Sequence, residues 1–124
     1  MFINKTNHIR LTQHFSLHEF QCKDGSRQVV LHPDLLTKLQ ALRTALNRPV
    51  IITSGYRNPT HNANVGGSPT SQHLLGTAAD IQVAGLSIPD LASRADQLGF
   101  TGIGLYTTFL HVDVRPHKAR WDLR

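Results

Sequence analysis

Hydrophobic residues in this chain follow two different periods. From Asp34 to Asn47, leucines at 35, 39, 42 and 46 recur at helical spacing, with Lys38 and Arg43 on other faces. That spacing predicts an amphipathic helix whose leucine stripe faces a core. Ser87-Ile88-Pro89-Asp90 reads as the capped start of another helix, running to about Leu98 with Leu91, Ala95 and Leu98 inward. Elsewhere the apolar residues come in short runs. Val50-Ile51-Ile52-Thr53 is rich in β-branched residues and predicts a buried strand. Ala78 to Val83 predicts a second strand. Gly102 to Tyr106 and Phe109 to Val114 predict two more, an antiparallel hairpin around Thr107-Thr108. Ser16-Leu17-His18-Glu19 fits the reciprocal cap pattern Ser-x-x-Glu and predicts a short helix, with the chain's only glutamate as a cap. Residues 1–13 are polar and aperiodic, which suggests a loose N-terminal arm. The expected architecture is α+β, with helices packed on one face of a small antiparallel sheet. Residues 1–124 are expected to form a single domain.

The chemistry concentrates where the periodicity stops. Residues 54–72 are rich in Gly, Asn, Ser, Thr and Pro, and a loop of that length in a compact domain is more often functional than idle. The loop leads into Ser71-Gln72-His73-Leu74-Leu75-Gly76-Thr77-Ala78-Ala79-Asp80, which is answered downstream by Leu110-His111-Val112-Asp113-Val114-Arg115. Gly76 lets the chain reverse sharply. Asp80 lies between Ala79 and Ile81, and a carboxylate is costly to bury there unless it is paired or bound to a cation. His111 is flanked in the same way by Leu110 and Val112. Strand alternation puts Phe109, His111 and Asp113 on one face. Taken singly, such a histidine is usually a hydrogen-bonded core residue, and such an aspartate usually a cap. Taken together, His73, Asp80 and His111 can supply three protein ligands from imidazole and carboxylate. Three such ligands, with a fourth position left for water, make a catalytic zinc site. A structural site would close all four positions, usually with thiolates, and this chain has a single cysteine, Cys22. Cys22 reads as a small buried hydrophobe.

The segment resembles the S-x-H-x-x-G-x-A-x-D signature of the M15 metallopeptidases, with Ser71, His73, Gly76, Ala78 and Asp80 at its fixed positions. These are zinc D-Ala-D-Ala carboxypeptidases and murein endopeptidases, distantly related to the hedgehog amino-terminal domain. Ser54-Gly55-Tyr56-Arg57-Asn58-Pro59, His61 to Gly67, and Phe15 to Gly25 are similar to further segments of the small phage and bacterial branch. The resemblance implies a hedgehog-like peptidase fold and a zinc ion held by His73, Asp80 and His111. It implies that Arg57 faces the substrate, where a guanidinium holds a carboxylate or stabilises a developing oxyanion. Ser71 would contact substrate or support a ligand. One departure matters. Some relatives carry an acidic residue three positions before the last histidine ligand, and others a histidine two positions before it. Here those places hold Thr108 and Phe109, and neither can act as a general base. Asp113 is the leading substitute. It could equally orient His111, or be a ligand itself with His111 as the base. His61, in the loop, is a more distant candidate.

Composition sets the remaining bounds. Hydrophobic residues at 40% and charged residues at 17% are ordinary for a globular domain. No apolar run is long enough to span a membrane, and the N-terminus lacks the apolar core and cleavage site of a secretory signal. The chain is therefore expected to be made in the cytoplasm and to reach a cell wall by lysis or in a virion. The net charge of +5 favours polyanions, including the anionic polymers of a bacterial wall. With aromatics at 6% and no aromatic-basic constellation, specific nucleic-acid binding is not expected. The resulting expectation is a monomeric zinc peptidase acting on peptidoglycan stem or cross-link peptides. The alternative is a non-catalytic, zinc-stabilised module of the same fold that binds wall peptide or a protein partner.

Overall fold

The computed structural model describes residues 7–124. Three helices, α1 (Pro33–Leu46), α2 (Pro59–Asn64) and α3 (Ile88–Gln97), accompany five strands: β1 (Ile51–Ser54), β2 (Ala78–Gln82), β3 (Gly102–Leu105), β4 (Leu110–Asp113) and β5 (Ala119–Asp122). Short 3-10 turns cover Leu17–Phe20 and Gln72–Leu75. The strands form one sheet in the order β1-β2-β4-β3-β5. The α+β architecture is the expected one, with one addition. β5 pairs parallel to β3, so the sheet is mixed at that edge, while the other three pairings are antiparallel. β5 left no strand signal because Ala119-Arg120-Trp121-Asp122 is short and charged, as exposed edges commonly are.

The predicted helices form because their ends are satisfied. His32 caps α1: its Nδ1 accepts from the Asp34 N–H at 3.1 Å, and Pro33 follows at the first helical position. Asn47 ends α1 in the left-handed conformation at φ 51°. The Ser87 hydroxyl caps α3 by accepting from the Asp90 N–H. The Glu19 carboxylate accepts from the Ser16 N–H within the expected reciprocal cap, although the helix it starts is only a 3-10 turn. α2 went unpredicted because Pro-Thr-His-Asn-Ala-Asn has no apolar periodicity. It is held by the Asn58 side chain, which accepts from the His61 N–H at 2.8 Å. Residues 7–13 belong to the expected loose arm yet are tied to the body. Asn7 donates to Gln21 and to the Arg27 carbonyl, and Thr12 donates to Gln40. The rest of that expected arm lies outside the described residues.

Alternation divides the sheet into two faces. Ile52, Ala79, Ile81, Ile103, Leu110 and Val112 join Leu35, Leu39 and Leu42 of α1 and Leu91 and Ala95 of α3 in one buried cluster, with Phe15, Phe20 and Phe100. α1 and α3 thus cover one face. The intervening positions point the other way, and register aligns them. Ser54 pairs with Asp80, Asp80 with His111, Gly104 with both His111 and Trp121, and Gly102 with Asp113. Cys22 is buried, as its reading required. Among the described residues, no helix is long and apolar enough to cross a membrane.

Candidate active site

His73 is delivered by the 3-10 turn Gln72–Leu75. The Ser71 hydroxyl caps that turn by accepting from the His73 N–H at 3.1 Å. Gly76 closes it at φ 71°, where a Cβ would also collide with the Val30 carbonyl. The chain then enters β2, and Asp80 arrives on the same side as His111 of β4. His73, Asp80 and His111 are all buried and offer one ligand atom each within 4.8 Å of one another.

The hydrogen bonds behind the two rings fix which nitrogens face the centre. His73 Nδ1 lies 2.7 Å from the Gly55 carbonyl, which can only accept, so Nδ1 carries the proton. The Nε2 lone pair then faces Asp80 Oδ1 at 3.2 Å. His111 Nε2 lies 2.7 Å from Asp113 Oδ2, also an acceptor, so its Nδ1 lone pair faces the same Asp80 Oδ1 at 3.2 Å. With both rings neutral, three lone pairs converge on one point. Such an arrangement is satisfied by a cation or by extra protons. The donor set, its spacing and the locked ring orientations fit a zinc ion.

Without a cation, protons between the rings and Asp80 take its place. Burial pushes the Asp80 carboxyl up, but hydrogen bonds from His111 and His73 outweigh it and hold the group down at about 2. Burial pulls His111 down, yet its bonds to Asp113 and Asp80 raise it above the ordinary histidine value. Asp113 is 0% exposed. Burial alone would raise its carboxyl, and the bonds from His111 and Arg115 hold it well below the usual carboxylate range. Arg115 clasps it with Nε at 2.9 Å from Oδ1 and Nη2 at 2.6 Å from Oδ2. Both Asp113 oxygens are therefore occupied.

Arg57 is partly exposed and lines the cleft above these residues. Its Nη2 donates to Asp80 Oδ2 at 3.2 Å, the oxygen that His73 and His111 do not face. Its Nε donates to the Ser54 hydroxyl and its Nη1 to Asn62 Oδ1. The cleft holds about 510 Å³ and is also walled by Ser71, Val65 to Ser68, Tyr106, Phe109, Arg115 and Trp121. Sequence reasoning brought His73, Asp80, His111, Asp113, Arg57 and Ser71 to one place, and the fold assembles them there. His61 does not line the cleft. Reasoning from the sequence missed Asn62, buried and donating to the Ser68 carbonyl while accepting from Arg57. It also missed Arg115 as the partner of Asp113, because Arg115 lies two residues past the end of β4. Trp121 carried no signal, because nothing local reveals that β5 returns beside the site.

Comparison with known proteins agrees with this geometry. The family model described as Peptidase M15 matches residues 13–113. The zinc D-Ala-D-Ala carboxypeptidase of Streptomyces albus G is 42% identical over 67 residues, covering 53% of this chain and 26% of that protein. The probable peptidoglycan L,D-endopeptidase MepK of Haemophilus influenzae is 32% identical over 99 residues, covering 72% of this chain and 53% of its own. MepK of Escherichia coli K12 is 27% identical over 110 residues, covering 82% of this chain and 60% of its own. The chain thus spans between about a quarter and three fifths of the length of these relatives. The matched segment contains the whole His73, Asp80 and His111 group with its supporting bonds, and on that ground the chain belongs to the peptidase M15 family.

Proposed function

We propose that this chain is a zinc-dependent peptidase that hydrolyses peptide bonds in the stem or cross-link peptides of bacterial peptidoglycan. The observation that carries this reading is the convergence of three lone pairs from His73, Asp80 and His111 at the base of an open cleft. The relatives' names, a D-Ala-D-Ala carboxypeptidase and peptidoglycan L,D-endopeptidases, supply the substrate class. Bound at these three residues, zinc would supply a Lewis acid and bring the pKa of water toward ~7.

The chain's own residues would do the rest. The Gly55 carbonyl and Asp113 hold the two imidazoles in fixed tautomers, so no reorganisation is needed when the metal binds. Of the three roles open to Asp113, the one we assign is orientation of His111, because Arg115 and His111 occupy both carboxylate oxygens. Ser71 positions His73 through the turn it caps. Arg57 steadies Asp80 and presents its guanidinium at the cleft, where it would stabilise the developing oxyanion.

A second reading is favoured by a specific observation. Among the described residues lining the cleft, Asp80 is the one carboxylate, and it belongs to the metal group. A cleft without a separate base suits a zinc-stabilised module that binds wall peptide without turning it over. One experiment separates the two readings. Purified peptidoglycan is incubated with the protein, with and without chelator, and the released fragments are identified. Chelator-sensitive release of peptide fragments is the expected result. Binding to the wall without release would leave the module reading.

A further inference from the structure

β5 lies beyond the segment that defines the family match, which ends at residue 113, yet it places Trp121 directly beside the metal group. The Trp121 ring centroid is 5.1 Å from that of His111. It occupies the space over Gly104, where any Cβ would overlap the indole. Trp121 Nε1 donates to the Tyr106 hydroxyl at 3.0 Å, and Tyr106 stacks on Phe109 at 4.5 Å with only 11° between planes. The Arg115 guanidinium sits 5.1 Å from the indole centroid. Trp121, Tyr106 and Phe109 are each half-buried and all three line the cleft. The other cleft-lining segments, Val65 to Ser68 and Thr70 to Gln72, are mostly small or polar.

From this arrangement we infer that Trp121, held by Tyr106, which itself stacks on Phe109, forms an apolar wall of the substrate cleft. The wall receives the methyl or methylene groups of the residue flanking the scissile bond. The inference rests on the reading that the cleft takes a wall peptide. Its physical basis is that aromatic faces fixed at both ends offer large apolar area at little cost in side-chain freedom. The hydrogen bond from Trp121 to Tyr106 satisfies the indole N–H, so the indole needs no polar partner from the substrate. Gly104 is the condition for this wall, because only a residue without a side chain lets the indole lie flat against the sheet beside His111.

Trp121 is the chain's sole tryptophan, so its emission reports on this wall alone. The test uses zinc-loaded wild type, Trp121→Ala and Trp121→Phe, with zinc content and thermal melting as checks on folding. Product peptides from an exhaustive peptidoglycan digest are titrated into the wild type while emission is followed. kcat and KM are measured for all three proteins on purified stem-peptide fragments. A saturable emission change is expected in the wild type. Trp121→Ala should raise KM on the order of tenfold with a much smaller change in kcat, and Trp121→Phe should recover most of the loss. A merely structural tryptophan would lower melting temperature without this split and without the emission response. Should Trp121→Ala fail to fold, the wild-type titration and Trp121→Phe still decide. Cleavage by a wild type whose emission never responds overturns the wall and spares the peptidase reading. A saturable response without any cleavage overturns the peptidase reading and spares the wall.

Discussion

The two faces of one sheet make the instructive contrast in this molecule. Leu110 and Val112 of β4 belong to the core, while His111 and Asp113, one residue away, belong to the site. The same strands and the same backbone hydrogen bonds serve both faces. On the core face, apolar side chains are removed from water and any well-packed hydrophobe of the right size serves. On the site face, buried polar groups are tolerated only because each has an exact partner. His73 has Gly55, His111 has Asp113, Asp113 has Arg115, and Asp80 has Arg57. The core face therefore governs whether the chain folds, and the site face governs what it can hold.

The strongest way to break this division is to exchange the two kinds of damage. Asp80→Ala should abolish stoichiometric zinc, and peptidase activity with it, as read by elemental analysis and fragment release. Leu110→Ala should instead cost about 2–5 kcal/mol of stability through a core cavity, with its zinc stoichiometry retained in the folded protein. If Leu110→Ala loses zinc while still folded, the faces are not independent.

A step smaller, Arg57→Ala removes a group that touches both the cleft and Asp80. Activity on wall fragments should fall on the order of 10²–10³. Because Arg57 Nη2 also holds Asp80 Oδ2, zinc affinity should weaken by about tenfold, measured by competition with a chelating dye. An unchanged rate would make Arg57 a bystander at the cleft wall.

Asp113→Asn tests the buried layer behind His111. The amide keeps the shape and removes the charge that fixes His111 and pairs with Arg115. Zinc affinity is expected to drop about 10–100-fold, with activity falling alongside it. Full zinc with activity lost would return Asp113 to the role of base.

The mildest effect concerns pH. In metal-free protein, His111 has a raised folded value, so its stabilising contribution is complete below the unfolded value of about 6.5 and fades as pH rises through the folded one. Asp80, held down at about 2, acts in the opposite sense. Its contribution is present above the unfolded value of about 3.9 and is lost as pH falls toward the folded one. Metal-free protein should thus melt highest between about pH 4 and 6.5 and lose a few degrees on going to pH 9. Zinc-loaded protein should gain stability over pH 6 to 8, because the ion replaces a proton there. Parallel melting curves for the two forms would place the metal elsewhere.

Much of this was legible in the chain. α1 could be read from leucines at 35, 39, 42 and 46, because helical burial writes a period into sequence. The site face could be read from His111 and Asp80, because polar residues between apolar neighbours on a strand need a reason to be buried. α2 and β5 were not legible. α2 rests on a single cap, and β5 is an edge strand whose alternating exposure leaves only a charged tetrapeptide. Asn62 and Trp121 sit on those two elements, so the site's outer parts were missed with them.

Local periodicity and residue chemistry determined the α+β class and the core stripe, and the resemblance to the M15 signature picked out His73, Asp80 and His111. Those properties depend on what each residue is and on its near neighbours in the chain. The tertiary structure alone decided which ring nitrogens face Asp80, that Arg57 reaches the same carboxylate, that Arg115 closes off Asp113, and that Trp121 lines the cleft. Each of these depends on distances between segments far apart in sequence. Such distances are set by sheet register and strand order, which a linear pattern of residues does not encode by itself.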